Sequence, residues 1–224
     1  NENFESQWIK ILNQENYPIL STETEQYKST IGDEIFIVGK TNTDLENHSN
    51  HIQNFVDYDG FVLKLNQENG EQIWSTLYST DSADVVTDIT TSDDGIFITG
   101  FTDGDLENNT NRLENPDIDI ELRDIFVSKI NPINGTKEWT RLLEYEENEY
   151  PVSISTDSSG SIFVLGFTSD SATNHDTNLN YVEGINKIIL SKLAPADGTE
   201  LWTKEIPFRQ IPDDLYRPSK ILID

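Results

Sequence analysis

The tryptophans recur at a nearly constant interval, and this repeat limits the folds open to the chain. Trp8, Trp74, Trp139 and Trp202 are the only tryptophans in 224 residues, and they lie 66, 65 and 63 residues apart. Each of the last three follows an Asn-Gly or Asp-Gly turn sequence. Because self-similarity at a fixed period is typical of repeat architectures, we interpret the chain as successive copies of one supersecondary unit.

Two further blocks recur in the same order in every copy. The first contains glycines in register, Gly39, Gly100 and Gly166, within IFIVGKT (35–41), IFITGFT (96–102) and IFVLGFT (162–168). The second comprises DGFVLKL (59–65), DIFVSKI (124–130) and KIILSKL (187–193). The blocks are rich in Ile, Val and Phe, and they have the length of β-strands. No long segment shows the apolar spacing of a helix.

The middle copy predicts four strands, at 84–91, 95–102, 124–131 and 136–143. Gly95 and Gly135 lie in the short links, where Gly, Asn and Asp favour hairpin turns. About 20 residues separate the second strand from the third. We therefore expect an all-β chain built from four-stranded up-and-down sheets.

A repeat of this kind is typical of a β-propeller blade. The second and third strands are almost entirely apolar, as expected for sheets covered on both faces, and we expect Trp74, Trp139 and Trp202 to pack between blades. The chain then forms a partial propeller of three blades with a flanking strand at each end: leading strand 1–14, blades 15–79, 80–144 and 145–208, trailing strand 209–224. Since propellers close with about 4–8 blades, we expect further blades from the same or a neighbouring chain.

Composition excludes several functional classes. The formal net charge is −26, which disfavours nucleic-acid binding because phosphate neutralisation requires clustered Lys and Arg. No apolar run approaches the length of a membrane span, so we expect no membrane insertion. The chain contains no Cys, which excludes disulfides and thiolate chemistry. Acidic, cysteine-free composition of this kind favours an extracellular or cell-surface location.

Acidic residues concentrate in the loops between the second and third strands and in the links between blades. In an up-and-down blade these segments leave the same edge of the sheet. Carboxylate and amide oxygens are the ligands that Ca²⁺ prefers, although the EF-hand spacing is absent. The calcium hypothesis rests on these residues: Asp44, Glu46, Asn47, Asp103, Asp105, Asn108, Asp117 and Asp119. The alternative is a solvated acidic loop whose Asp and Asn side chains cap turns.

The segments GKTNTDLEN (39–47), GFTDGDLEN (100–108) and GFTSDSATN (166–174) carry a family resemblance. Each is followed by the second-block strand and then by the turn and Trp. The pattern resembles the bacterial SBBP family, the seven-bladed β-propeller repeat of large surface and secreted proteins. The third copy departs from it at Ala172-Thr173 and at Lys187. The resemblance implies an exported propeller, and it implies no single activity.

We therefore expect a non-catalytic binding or structural module of an exported, adhesin-like bacterial surface protein. We hypothesise that bound calcium stabilises this module. Its acidic loop face is expected to contact a protein or glycan partner. The alternative is an enzyme scaffold, either carbohydrate-active or similar to the quinoprotein dehydrogenases. The quinoprotein alternative rests on the hairpin DGTELW at 197–202.

Overall fold

A computed structural model describes residues 27–31, 34–41, 58–107, 113–115, 120–145, 148–169 and 185–207, together with 220, 221 and 223. Every regular element in these segments is a β-strand. The described segments include no helix with the length and apolar character needed to span a membrane. The all-β prediction is confirmed.

Three four-stranded antiparallel sheets follow one another along the chain, each with its strands in chain order. Sheet I comprises β1 (Tyr27–Ile31), β2 (Glu34–Thr41), β3 (Asp59–Leu65) and β4 (Gln72–Tyr78). The next segment comprises β5 (Asp84–Ser92), β6 (Gly95–Thr102), β7 (Leu113–Asn115), β8 (Ile120–Glu121), β9 (Asp124–Ile130) and β10 (Lys137–Leu143). Sheet II consists of β5, β6, β9 and β10. Sheet III comprises β11 (Asn148–Thr156), β12 (Ile162–Ser169), β13 (Ile185–Leu193) and β14 (Glu200–Pro207).

The strands of sheet II match the sequence prediction to within one residue at each end. Strands β7 and β8 were not predicted, and they form a separate two-stranded hairpin inside the long β6–β9 link. Within the described segments, the flanking strands predicted at 1–14 and 209–224 are not represented, because 1–14 and most of 209–224 lie outside them.

The turn before each tryptophan strand has the same backbone conformation in all three sheets. Gly70, Gly135 and Gly198 have φ values of 69°, 75° and 72°, in the left-handed region that favours glycine. In sheet II the Gly135 amide donates to the Asn131 carbonyl at 3.0 Å. The Asn-Gly and Asp-Gly signals of the sequence therefore correspond to real hairpin turns.

The sheets stack face to face, and the apolar core fills the spaces between them. Phe36 and Val62 of sheet I share a buried cluster with Phe126 of sheet II, and Ile125 of sheet II shares another with Val164 of sheet III. Strand β6 is buried along its entire length. Burial on both faces explains why the second and third strands of sheet II are almost entirely apolar.

The first strand of each sheet packs against the preceding sheet. Strand β5 contacts β1, β2 and β3, and β11 contacts β5, β6 and β9 in the same manner. One half-buried carboxylate links the first strands of sheets II and III, since Ser153 Oγ and the Ile154 amide both donate to Asp88 Oδ2 at 2.9 Å. Successive sheets are thus related by a repeated packing arrangement.

Candidate functional site

One edge of the stacked sheets concentrates buried charge, at the point where the long loops and the sheet-to-sheet links depart. The β6–β9 loop and the β4–β5 and β10–β11 links all leave this edge, as the antiparallel strand order requires. We call it the acidic edge and define it by six buried residues: Asp59, Asp84, Asp103, Arg123, Asp124 and Glu149. Buried ionised groups are costly unless they are paired or neutralised.

Arg123 forms a bidentate ion pair with Asp103 across the base of the β6–β9 loop. Its Nε lies 2.7 Å from Asp103 Oδ1, and its Nη2 lies 2.8 Å from Oδ2. The guanidinium carbon lies 4.0 Å from the Phe101 ring centroid and 5.1 Å from that of Tyr150. Asp103 follows β6 directly and Arg123 precedes β9 directly. The pair therefore joins the two ends of the loop and contacts sheet III through Tyr150.

The first residues of the loop are packed onto the sheets. Leu106 is fully buried and belongs to the core between sheets I and II. Glu107 has a φ of 51°, and its carboxylate accepts from Lys137 Nζ. The Lys137 ammonium also lies 4.3 Å from the Tyr78 ring centroid. Leu106 and Glu107 of the repeated D-L-E segment therefore have a structural role in sheet II.

Asp84 meets a different environment at the edge between sheets I and II. The Thr80 amide and hydroxyl donate to its Oδ2 at 2.7 and 2.8 Å. Burial raises the pKa of Asp84 to about 8, and the nearby charge of Asp59 acts in the same direction. Tyr58 precedes β3 here, at the repeat position that Arg123 has before β9. A carboxyl group with this pKa is protonated at neutral pH.

The structure distributes the proposed calcium ligands unevenly. Asp103 is held by Arg123 and is 6% exposed, so the solvated-loop alternative is wrong for this residue. Asp105 is exposed. The remaining proposed ligands lie outside the described residues: Asp44, Glu46, Asn47, Asn108, Asp117 and Asp119. Among the described side chains, no group of three or more His, Cys, Asp or Glu is arranged to hold a metal. The calcium site stays a prediction.

Two of the tryptophans lie against the turn of the following sheet. Trp74 Nε1 donates to the Pro132 carbonyl at 3.2 Å, and a Cβ on Gly135 would lie 2.7 Å from the Trp74 ring. Trp139 repeats this contact one sheet later. Its Nε1 donates to the Pro195 carbonyl at 3.3 Å, and a Cβ on Gly198 would lie 2.7 Å from its ring. We call this arrangement the tryptophan–turn contact.

Trp202 occupies the same position on β14, and its environment differs. It is 37% exposed, whereas Trp74 is 7% exposed. Its ring meets Phe163 of its own sheet edge-to-face, with centroids 6.0 Å apart. The third tryptophan therefore retains its contact within the sheet and presents much of its surface to solvent.

The aligned glycines of the second strands permit close packing of the first strands. A Cβ on Gly100 would lie 2.1 Å from the Val85 carbonyl oxygen, and one on Gly166 would lie 2.8 Å from the Tyr150 carbonyl oxygen. Gly39 lies in β2 and pairs with Phe61. Steric exclusion of any side chain explains why glycine is required at Gly100 and Gly166.

A scan against models of known protein families found no match to this chain, and a search of curated proteins found none. The resemblance to SBBP repeats consequently stays a prediction.

Proposed function

We propose that this chain is part of a β-propeller and serves as a non-catalytic binding module of an exported bacterial surface protein. Three features support the propeller: four-stranded sheets in chain order, first strands that pack against the preceding sheet, and tryptophan–turn contacts at both internal junctions. The acidic, cysteine-free composition and the SBBP resemblance support export.

The observation that carries the binding role is the anchoring of the β6–β9 loop. Arg123 and Asp103 join its two ends, and Leu106 fixes its first turn in the core. Binding residues are often found on loops that a rigid scaffold positions. The sequence of this loop also contains further carboxylates, at Asp117, Asp119 and Glu121. The partner that matches such a surface is cationic, either a basic protein surface or a glycan bridged by Ca²⁺.

A labelled oligolysine peptide tests the cationic partner by fluorescence anisotropy. The loop variant carries Asp117→Asn and Asp119→Asn. The matched control carries Asp93→Asn and Asp94→Asn, in the exposed β5–β6 turn at the opposite edge. Exposed charge pairs contribute about 0.2–1 kcal/mol each, so we expect the loop variant to raise the Kd about threefold and the control to leave it unchanged. Equal losses in both variants would show attraction by net charge alone.

Thermal melts test the calcium part of the proposal. The melting temperature is compared in EDTA, in millimolar Ca²⁺ and in millimolar Mg²⁺. A ligand that binds only the native state raises the melting temperature by mass action, so we expect a rise specific to Ca²⁺. Superimposable melts would remove calcium from the proposal and leave the basic protein surface as the partner.

A further inference from the structure

One face of sheet III is apolar and incompletely covered. Trp202 and Ile206 of β14 are 37% and 52% exposed. Phe163 of β12 and Ile188 and Leu190 of β13 are half-buried. We call these five residues the open face. A contiguous exposed apolar surface of this kind is characteristic of an interaction site.

The equivalent face of sheet II is covered by sheet III. The repeat aligns the open face with Phe97, Ile125, Val127, Trp139 and Leu143. All five belong to the core between sheets II and III. The contrast is sharpest at the end of the fourth strand, where Leu143 is 5% exposed and Ile206 is 52% exposed. The junction between sheets II and III therefore shows what kind of surface would fit the open face of sheet III.

Both internal junctions define the polar part of this fit. The covering sheet supplies a glycine beneath the tryptophan ring and, three residues earlier, a carbonyl for the indole Nε1. At the first junction Lys64 Nζ also donates to the Pro132 carbonyl, at 3.0 Å. Trp202 and Lys192 stand at the corresponding positions of sheet III, paired across β13 and β14. The two donors for such a carbonyl are therefore present beside the open face.

The chain also brings charge from beyond sheet III to the first strands. The positive charge of Lys220 lowers the pKa of Asp88, against the larger opposing effect of burial. In the repeat, Lys220 and Ile221 align with Ser153 and Ile154, which contact Asp88 from β11. Lys220, which has a first-strand position in the repeat, is therefore close enough to Asp88 for their charges to interact.

We infer that the open face docks a further four-stranded unit of the same repeat, whose last turn places a glycine on Trp202 and a main-chain carbonyl at its indole nitrogen. The inference rests on the proposed propeller and identifies the neighbour of sheet III. The glycine makes the contact selective, because any larger residue at that turn position would collide with the indole ring. A flat apolar surface without this turn would offer no main-chain carbonyl to accept the hydrogen bond from Trp202 Nε1.

An in-register extension of the full chain tests this inference. Asp224 aligns with Asp157, so residues 158–207 are appended after Asp224 and complete a fourth unit. Trp202→Phe in the appended copy prevents a new tryptophan signal. The protein is labelled with 5-fluorotryptophan, and the ¹⁹F resonance of the original Trp202 is assigned by its loss in a Trp202→Phe variant. The measured quantity is the shift of that resonance between H₂O and D₂O, which reports solvent exposure.

The matched control carries Gly198→Val in the appended copy alone. We expect the solvent shift at Trp202 to fall towards that of Trp74 in the extended chain, in line with exposed fractions of 37% and 7%. We expect the Gly198→Val extension to leave the shift unchanged. A Trp202 that stays exposed beside the unmodified extension, folded or not, would overturn the inference, and so would equal burial in both extensions.

The docking result and the proposed binding role can fail separately. Burial of Trp202 without oligolysine binding would retain the docking surface and reject the cationic partner. Oligolysine binding with an exposed Trp202 would give the opposite result.

Discussion

The two junctions between sheets share their apolar packing and differ in how they treat buried charge. Between sheets II and III, Arg123 pairs with Asp103 and lies between the rings of Phe101 and Tyr150. Between sheets I and II, Asp84 is held by Thr80. Its pKa is raised to about 8 by burial.

The difference shows that the same backbone arrangement can accommodate a buried carboxylate in two ways. A buried carboxylate can be matched with a cation, or it can take up a proton and become neutral. The first solution depends on Arg123 being present, and the second depends on pH. The tryptophan–turn contact is common to both junctions. Its contribution to stability is therefore a reference with which the contributions of Arg123 and Asp84 can be compared.

Arg123→Leu should produce the largest loss of stability. Removing one partner of a buried pair leaves an uncompensated charge, which costs about 3–5 kcal/mol. Urea denaturation would measure the free energy of unfolding. The double variant Arg123→Leu/Asp103→Asn should recover part of the loss, because the carboxylate that Arg123 leaves unpaired is then also neutralised. A double variant as unstable as the single one would show that the loss does not come from the unpaired charge of Asp103.

Trp74→Ala should cost about 3–5 kcal/mol, the range for a large aromatic removed from a core. The change deletes the packing on Gly135 and the hydrogen bond to the Pro132 carbonyl. Trp139→Ala should cost less, because Trp139 is only half-buried. Chemical denaturation of both variants gives the comparison. Equal and small losses would show that the tryptophan–turn contact stabilises neither junction.

Asp84→Asn should change how stability depends on pH. The pKa of Asp84 is raised in the fold, from an ordinary value of 3.8 to about 8. Between these two values the native state binds a proton that the unfolded state has released. Wild-type stability should therefore fall as the pH rises from about 4 to about 8, by at most about 1.4 kcal/mol per pH unit. Asparagine cannot titrate, so the variant should lack this slope. Denaturation across this range should give diverging curves, and parallel curves would contradict the protonated state.

Strand and turn positions were predictable because their causes are local. Apolar runs mark the strands, and glycine at positive φ marks Gly135 and its equivalents. The pairing of Arg123 with Asp103 was not predictable, because it joins residues 20 positions apart across a loop rich in competing carboxylates. Leu106 gave one usable signal, as an apolar residue inside an acidic segment. The β7–β8 hairpin is too short to show an alternating pattern.

Trp202→Ala should have the smallest effect and would sharpen the comparison of the three tryptophans. With 37% of its surface exposed, it loses mainly the edge-to-face contact with Phe163. Such aromatic pairs contribute about 0.5–1.5 kcal/mol, so the loss should be near 1 kcal/mol. Urea denaturation alongside Trp74→Ala measures the difference under the same conditions. A loss equal to that of Trp74→Ala would mean that the open face is already covered in solution. A small loss would show that a tryptophan at this repeat position stabilises the fold strongly only where the turn of a following sheet covers it.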